Sequence, residues 1–223
     1  ERDILMGGTG ADTIDGGGGD DYILYGSGDD VVYGGSGNDY IDDQQDVRLA
    51  GFNYIDAGAG NDTVWAGLDD DTVHGGSGND NISGEEGNDS VTGGAGDDHL
   101  VWSPGEANDT PSGGAGFDTL EIEGSSGDDS YTIRKTSGGG AKAQITNGSH
   151  TLTLGSSIEV ITLTMGDGDD TVNIDTLKGV SGTLLAIYGE GGNDTLTADD
   201  VSIGTVRILL DGGDGDDTIA GSA

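Results

Sequence analysis

The chain contains no cysteine, two prolines and only seven basic residues among its 223. The absence of cysteine excludes disulfides and thiolate metal sites, so in an oxidising compartment the fold needs another staple, for which a metal ion is the obvious substitute. The scarcity of Lys and Arg argues against a nucleic-acid partner, because phosphate binding requires clustered positive charge. No apolar run approaches the roughly 20 residues of a membrane-spanning helix, and no signal peptide is recognisable.

Negative charge is what the chain has in excess. It carries 43 acidic residues and a net charge of −36, and 35 of the acids are Asp against 8 Glu. A solvated acidic surface would use Glu freely, so this bias points to short carboxylates held in defined positions. Because Leu, Ile, Val and Phe make up only about a fifth of the chain, composition alone predicts a disordered glycine-aspartate linker.

A nine-residue repeat argues against that linker. Its turn has the form Gly-Gly-x-Gly-x-Asp, and its units follow one another without a gap at 7–42 and again at 57–101. Position six is Asp in every one of these units: Asp12, Asp21, Asp30, Asp39, Asp62, Asp71, Asp80, Asp89 and Asp98. Position eight is aliphatic in the same units: Ile14, Ile23, Val32, Ile41, Val64, Val73, Ile82, Val91 and Leu100. A flexible linker has no reason to keep one apolar residue every nine positions, so the pattern indicates a repeating folded structure.

Each unit divides into a six-residue turn and a three-residue strand. The strand turns position eight inward and its two neighbours outward. Two units therefore form one coil of about 18 residues, and successive coils stack about 4.8 Å apart. Turn glycines tolerate positive φ and expose carbonyl oxygens. We expect metal-facing carbonyls at positions such as Gly8, Gly10, Gly17, Gly19, Gly35, Gly37, Gly76, Gly78, Gly94 and Gly96.

Stacking places the position-six carboxylates of adjacent coils side by side. At about 5 Å and an effective dielectric near 20, each pair repels by roughly 3 kcal/mol. A calcium ion between the turns would reverse the sign, because it accepts six to eight oxygen ligands from carboxylates and carbonyls. Other hard cations would suit the same oxygen atoms. Position five is often Asn or Asp, which predicts local side-chain-to-backbone bonding within the turn.

These units resemble the repeats-in-toxin (RTX) family of secreted bacterial proteins. The resemblance implies an all-β, right-handed parallel β-roll or β-helix with several Ca²⁺ ions sandwiched between turns. It also implies export by a type I secretion system in the unfolded state, followed by folding on extracellular calcium. The first residues match positions six to nine of a preceding unit and 221–223 match the start of another, so we expect the chain to be part of a longer protein that carries any targeting signal.

The pattern breaks twice within residues 1–121, the predicted β-roll. Residues 43–56 contain a five-residue insertion at 43–47 and a worn unit whose position six is Asn53, which predicts a weak or missing side-chain ligand. Residues 102–112 keep Asp109 but place Pro111 in the strand, and proline cannot donate to a ladder. Residues 113–121 restore the pattern with Asp118.

Beyond residue 121 the repeat becomes sparse. Alternating segments and turn signals at 138–140 and 147–148 predict antiparallel hairpins within 122–164, a hairpin-rich insertion or cap. Residues 165–223 are predicted to form wider β-helix coils, each with one calcium-type turn and a longer strand opposite. The position-six residues of the sparse units complete the predicted ligand set: Asp129, Asp170, Asp194 and Asp217.

Enzymatic signals are poor, since no nucleophile elbow, phosphate-binding loop or zinc-protease motif occurs. His74 and His99 fall on outward strand positions, which favours a surface role. Tyr22 and Tyr40 share position seven two units apart and are predicted to stack. Trp65 and Trp102 would pack partly against neighbouring strands or, alternatively, contact a glycan, another domain or a subunit, as exposed aromatics often do.

The sequence thus predicts a non-enzymatic calcium-binding segment of a large secreted or cell-surface bacterial protein. It would fold on extracellular calcium into a rigid rod, an adhesin stalk, or a component of a surface layer or matrix. The alternatives are the calcium-dependent tail of a secreted hydrolase, epimerase or toxin, and a glycan-binding β-helix. Expected partners are calcium ions and neighbouring domains or subunits of a surface assembly.

Overall fold

The computed structural model describes residues 1–43, 49–103, 107–136, 143–155, 157–175, 177, 182–198 and 206–221. These residues contain strands and turns and no helix, as the all-β prediction requires. The strands are β1 (Ile4–Met6), β2 (Thr13–Asp15), β3 (Tyr22–Leu24), β4 (Val31–Ser36), β5 (Tyr40–Asp42), β6 (Tyr54–Ala59), β7 (Thr63–Trp65), β8 (Thr72–Ser77), β9 (Asn81–Ser83), β10 (Ser90–Ala95), β11 (His99–Trp102), β12 (Thr110–Ala115), β13 (Thr119–Glu123), β14 (Ser130–Lys135), β15 (Ala143–Asn147), β16 (His150–Thr153), β17 (Val160–Thr164), β18 (Thr171–Ile174), β19 (Leu184–Tyr188), β20 (Thr195–Ala198), β21 (Arg207–Asp211) and β22 (Thr218–Gly221).

The strands form three sheets wound into a parallel β-solenoid of about 9 turns. Sheet I has ten strands in the order β1-β3-β5-β7-β9-β11-β13-β17-β19-β21 and runs through the whole chain. Sheet II, in the order β12-β10-β8-β6-β4-β2, lies opposite its first half, and sheet III, in the order β16-β15-β14-β18-β20-β22, opposite its second half. The prediction of a parallel β-roll is confirmed, because all solenoid pairs are parallel.

Strand register confirms the 18-residue coil. Ile23 pairs with Ile41, and Val73 pairs with Val91, both 18 positions apart and both in position eight. The interval grows where the sequence is interrupted, as in the pairing of Val32 with Ile55. The interruption before Asn53 is therefore absorbed without a change of sheet, although its residues 44–48 lie outside the described part of the chain.

The core is a double column of position-eight side chains. Ile23, Val32, Ile41, Ile55 and Val64 have no exposed surface, and the column continues through the wider coils. Because one inward residue per strand supplies the core, the coil can be as short as 18 residues and still exclude water.

The hairpin insertion is present as predicted. β14 pairs antiparallel with β15, and β15 pairs antiparallel with β16 through a turn in which Gly148 has a φ of 59°. The predicted turn at 138–140 lies outside the described residues. β16 then covers the edge of sheet II, since the Thr153 amide donates to the Asp109 carbonyl and the Gly155 amide to that of Pro111.

Pro111 can occupy β12 because this strand lies at the edge of sheet II. Pro111 is buried at position eight and pairs with Val91 at the end of sheet II. A residue without an N–H is tolerated there because β12 is the last strand of its sheet.

The coils in the second half of the solenoid are longer than 18 residues. Val172 pairs with Leu196 across 24 residues and Leu196 with Ile219 across 23. Each coil presents one glycine-aspartate turn before a strand of sheet III and a longer strand in sheet I. Among the described residues, no helix is long and apolar enough to cross a membrane.

Candidate metal centre

The position-six aspartates stand where each turn enters its strand. The backbone at this point is fixed by inter-coil bonds, for example from the Tyr40 amide to the Asp21 carbonyl at 2.9 Å and from the Asn81 amide to the Asp62 carbonyl at 2.8 Å. Parallel pairing on both sides of the coil therefore stacks these carboxylates in two columns, one at each edge of the solenoid.

One oxygen of each carboxylate is used within the protein. Asp39 Oδ1 accepts the amide of Asp21 in the preceding coil at 2.8 Å, and Asp80 Oδ1 accepts that of Asp62 at 2.9 Å. The same bond recurs down both columns, with the acceptors Asp21, Asp30, Asp62, Asp71, Asp89, Asp98, Asp109, Asp118, Asp170, Asp194 and Asp217. This ladder holds the carboxylates that take part in it through the same oxygen.

The second oxygen is buried and unsatisfied. Twelve of the fifteen predicted aspartates have an Oδ2 without a hydrogen-bond partner among the described residues: Asp12, Asp21, Asp30, Asp39, Asp62, Asp71, Asp80, Asp89, Asp98, Asp118, Asp170 and Asp194. Buried polar atoms in native proteins almost always have partners, and an ionised carboxylate requires one. A cation or a proton must therefore reach these oxygens.

The pKa values of the position-six aspartates also indicate that their buried oxygens need a cation or a proton. Burial raises the pKa of Asp71 to about 9 and that of Asp89 to about 8, and neighbouring carboxylates add to both shifts. Burial likewise raises the pKa of Asp62 to about 7 and that of Asp80 to about 6. The amide bond to each Oδ1 lowers these values without cancelling the effect of burial. Without a cation, some of these aspartates, such as Asp71 and Asp89, would be protonated at neutral pH.

Carbonyl oxygens converge on the unsatisfied carboxylate oxygens. A Cβ added to Gly75, at position one, would lie 2.5 Å from Asp80 Oδ2 and 2.5 Å from the carbonyl of Gly93, position one of the next coil. The same pair of oxygens flanks Gly16, at 2.8 Å for Asp21 Oδ2 and 2.5 Å for the Gly34 carbonyl. Position-one carbonyls, which sequence reasoning did not single out, thus flank the same glycine Cβ positions as the carboxylate oxygens.

The carbonyls that were predicted as ligands, at positions two and four, face the next coil. The Gly8 and Gly17 carbonyls, at position two, already accept amides at 2.9 and 3.0 Å. A carbonyl has two lone pairs, so a second one is left for a cation. Their role as ligands stays a prediction.

The donor set fits a hard cation. It consists of carboxylate and carbonyl oxygens only, which are the ligands of calcium. Among the described residues, no three acidic or histidine side chains meet at one point, so an ion between turns would take part of its shell from the backbone. The twelve unsatisfied oxygens fit such a donor set, and their role as calcium ligands stays a prediction.

Three predicted ligands are not among these twelve. Asp129 Oδ2 accepts both the amide and the hydroxyl of Ser125, at 2.7 and 2.9 Å. Asp109 lies beside the indole of Trp102, and burial raises the pKa of Asp109 to about 6. Asp217 keeps the ladder bond, since its Oδ1 accepts the amide of Asp194 at 3.0 Å, but it is only half-buried. Of the three, Asp129 differs most from an ordinary position-six aspartate, because its Oδ2 is already satisfied.

Sequence reasoning missed one carboxylate. Glu159 Oε2 accepts the Asp118 amide at 2.9 Å, which is the place of a position-six aspartate in the next coil. The backbone confirms the position, because the next amide, that of Val160, donates to the Asp118 carbonyl at 3.1 Å, as position-seven amides do elsewhere. The available signal was an acid directly before the strand β17, although no glycine turn precedes it.

Position five forms a second ladder of opposite direction. Asp20 Oδ1 accepts the Asn38 amide of the following coil at 2.9 Å, and Asn38 Oδ1 accepts the Asn61 amide at 2.7 Å. The predicted local bonding within a turn is wrong, because these side chains connect successive coils. The stacked turns bring the next amide within reach, which the sequence of one turn does not reveal.

The surface aromatics divide into two groups. Tyr22 and Tyr40 stack as predicted, with ring centroids 5.0 Å apart and planes 7° from parallel. Trp65 is half-buried on β7, whereas Trp102 is only 2% exposed and belongs to the core. For Trp102 the packing against neighbouring strands is confirmed and the alternative of an external contact is wrong, because β11 extends one residue beyond its repeat and Trp102 faces inward opposite Ile122.

These features define a parallel β-solenoid whose turns present unsatisfied carboxylates at regular intervals. A family model described as RTX calcium-binding nonapeptide repeat (4 copies) matches residues 1–32, 26–42, 49–73, 74–101, 186–200 and 209–223, together more than half of the chain. The chain belongs to this family, whose nonapeptide repeats bind Ca²⁺ in multiple copies. No curated protein matches the chain.

Proposed function

We propose that this chain is a calcium-folded structural segment of a large secreted or cell-surface bacterial protein, without enzymatic activity. The observation that carries the proposal is the set of twelve buried, unsatisfied Oδ2 atoms in two columns. Calcium, when bound, supplies positive charge and a shell of six to eight oxygens. The aspartates orient one oxygen through the amide ladder and present the other, and the glycines keep the space beside it free of side chains.

An extracellular location is supported by the charge of the chain and by the availability of calcium. With a net charge of −36 the ion-free chain repels itself, and its small apolar content does not offset the conformational entropy of folding. Binding free energy then becomes folding free energy, as in other metal-dependent domains. Calcium is plentiful outside cells and scarce in the cytosol, so the chain would stay unfolded until exported and become rigid afterwards.

A spacer role suits the geometry. The ten strands of sheet I span nine inter-strand steps, or about 43 Å at 4.8 Å per step. We propose three segments of this solenoid, 1–121, 122–164 and 165–223, with the middle one joining narrow to wider coils. Such a unit would serve as a rod, an adhesin stalk, or part of a surface layer or matrix.

Small-angle scattering and cell fractionation test this proposal. Calcium is expected to reduce the radius of gyration from about 50 Å, typical of an unfolded chain of this length, to about 17 Å. In the source cells the protein should be accessible to external protease, and more so after chelation. A compact particle without calcium, or a protein that remains inside the cell, would contradict the proposal.

A glycan-binding surface is a second candidate, supported by aromatic rows on the outside of the solenoid. Tyr54 lies between Tyr33 and His74, with ring centroids 6.3 and 5.6 Å away. Of the two tryptophans considered from the sequence, only Trp65 is accessible for such a contact. Glycan binding by the folded chain that is lost in Trp65→Ala or Tyr54→Ala would support this candidate, and no binding on a broad glycan array would dismiss it.

A further inference from the structure

The turn that contains Asn53 is built differently from its neighbours. In an ordinary turn the position-six Oδ2 and the position-one carbonyl of the next coil flank the same position-one glycine, as Asp21 Oδ2 and the Gly34 carbonyl do at 2.8 and 2.5 Å from a Cβ built on Gly16. An ionised carboxylate and a carbonyl are both hydrogen-bond acceptors, so neither can satisfy the other. A cation between the coils, or a proton on Oδ2, is what such a pair requires.

At Asn53 a donor replaces the acceptor. Asn53 Nδ2 donates to the Gly51 carbonyl at 3.0 Å and lies 3.5 Å from the carbonyl of Ala66. Ala66 is position one of the next coil on that side, so its carbonyl corresponds to the one that elsewhere faces a carboxylate. Asn53 is only 5% exposed, and water does not compete for these bonds.

A second donor reaches the same carbonyl from another coil. The Tyr25 hydroxyl lies 2.6 Å from the Ala66 carbonyl oxygen and 3.1 Å from that of Trp65. Tyr25 has no exposed surface and stands at position one, where most units have glycine. Its side chain spans the coil that contains Asn53 and ties residue 25 to residue 66.

We propose that this turn is a calcium-free joint, in which the Tyr25 hydroxyl and the Asn53 amide take the place of the ion. The inference rests on calcium binding at the other turns. A cation beside the Ala66 carbonyl would meet the positive ends of an O–H and an N–H dipole and would find no carboxylate at position six. The buried Asp43 carboxylate, which lies beside Gly67, already accepts the Leu49 amide. Among the described residues, three successive coils are therefore connected here by hydrogen bonds that need no ion, and this connection is independent of the calcium concentration.

Counting bound ions tests the joint. Calcium per chain is measured by atomic emission after equilibrium dialysis, for the wild type and for folded variants. Asn53→Ala is expected to leave the count unchanged. Tyr25→Gly combined with Asn53→Asp, which removes both donors and places a carboxylate at position six, is expected to raise it by one. Asp80→Asn is the matched control at an ordinary turn and should lower it by one.

A thermal measurement covers the case in which the double variant does not fold. Tyr25→Phe keeps the ring and removes the hydroxyl, so it should lower Tm by the same amount at half-saturating and at saturating calcium. Asp80→Asn should lower Tm more as calcium rises, because ligand stabilisation grows with concentration. Loss of one ion in Asn53→Ala, no gain in a folded double variant, or a calcium-dependent effect of Tyr25→Phe would overturn the joint. A wild-type count of zero would overturn the ligand assignment as well.

Discussion

At the scale of single residues, the two oxygens of a position-six aspartate have separate tasks. Oδ1 accepts an amide of the preceding coil, and Oδ2 is buried without a partner, as in Asp80. An exposed position-five side chain only accepts an amide, here from the following coil, and both Asn and Asp occur there. The difference explains why asparagine is common at position five and occurs at position six only in the aberrant turn of Asn53.

Asp80→Asn isolates the task of Oδ2. The amide oxygen can still accept the Asp62 amide, but the anionic ligand is lost. We expect the free energy of unfolding to fall by about 2.7 kcal/mol when free calcium is 100 times Kd, the contribution of one ion. Urea unfolding in calcium measures it. Asp97→Asn, at position five of the next coil, should change little, and equal effects of the two substitutions would refute the assignment.

Asp69 is a second residue with a local consequence. It occupies position four, where most units have glycine, with a φ of 71°. Left-handed backbone costs a non-glycine residue on the order of 1 kcal/mol, so Asp69→Gly should stabilise the calcium-loaded protein by up to about that amount. In Gly78→Ala, at the same position of the next unit, the added Cβ would overlap the Gly60 carbonyl oxygen and destabilise the fold. Thermal unfolding of both variants in calcium checks the opposite signs.

At the scale of elements, the hairpin β15–β16 decides where the narrow coils end. Sheet II stops at β12, and the amides of β16 and its neighbour Gly155 cover that edge. An uncovered edge of a parallel sheet invites pairing with another chain. The hairpin thus closes one sheet and, through β14, begins the next.

Leu152→Ala tests how much this closure contributes. Leu152 is fully buried in β16, and a Leu→Ala change in a core costs about 2–5 kcal/mol. Because repeat folds are stabilised by nearest-neighbour contacts, the loss should concentrate around 110–175 in a hydrogen-exchange experiment. Thr151→Ala, half-buried next to it, is the control and should cost less than 1 kcal/mol. Uniform loss of protection along the chain would show that the solenoid unfolds as one unit.

The elements that the sequence predicted well are those in which the nine-residue period is intact. Position eight identified the core column and position six the carboxylate columns, because a fixed period maps each residue to one place in the coil. Tyr25, Trp102 and Glu159 could not be placed in this way. Tyr25 acts across two coils, Trp102 belongs to an extension of its strand, and Glu159 has no glycine turn before it.

At the scale of the whole molecule, one sheet of ten strands crosses segments with dense and with sparse repeats. Five of the seven basic residues follow residue 121, where calcium-type turns occur once per coil. Dependence on ions should therefore be strongest in the first half. There both edges of the coil carry position-six carboxylates, whereas farther along the position-six aspartates Asp170, Asp194 and Asp217 lie at one edge.

The pH dependence follows from the raised carboxylate pKa values. Without calcium the folded state holds protons that the unfolded chain releases near pH 3.8, so the free energy of unfolding falls as pH rises. This stabilisation is complete below about pH 3.8 and is lost as pH passes through the folded values, from about 6 for Asp80 to about 9 for Asp71. Circular dichroism in EDTA should show more β-structure at pH 4 than at pH 8. Calcium should reverse the trend, since it binds the ionised form, and sedimentation controls for aggregation near the isoelectric point.

Far-UV circular dichroism during separate titrations with calcium and magnesium, starting from EDTA at pH 7.5, tests the central claim most directly. Buried unsatisfied carboxylates in two columns predict a coil spectrum in EDTA and a cooperative transition to β-structure with calcium, whereas magnesium, which favours a smaller octahedral shell and retains its water, should fail to produce it. A β-spectrum of full intensity already present in EDTA at this pH would contradict the claim that calcium holds the coils together.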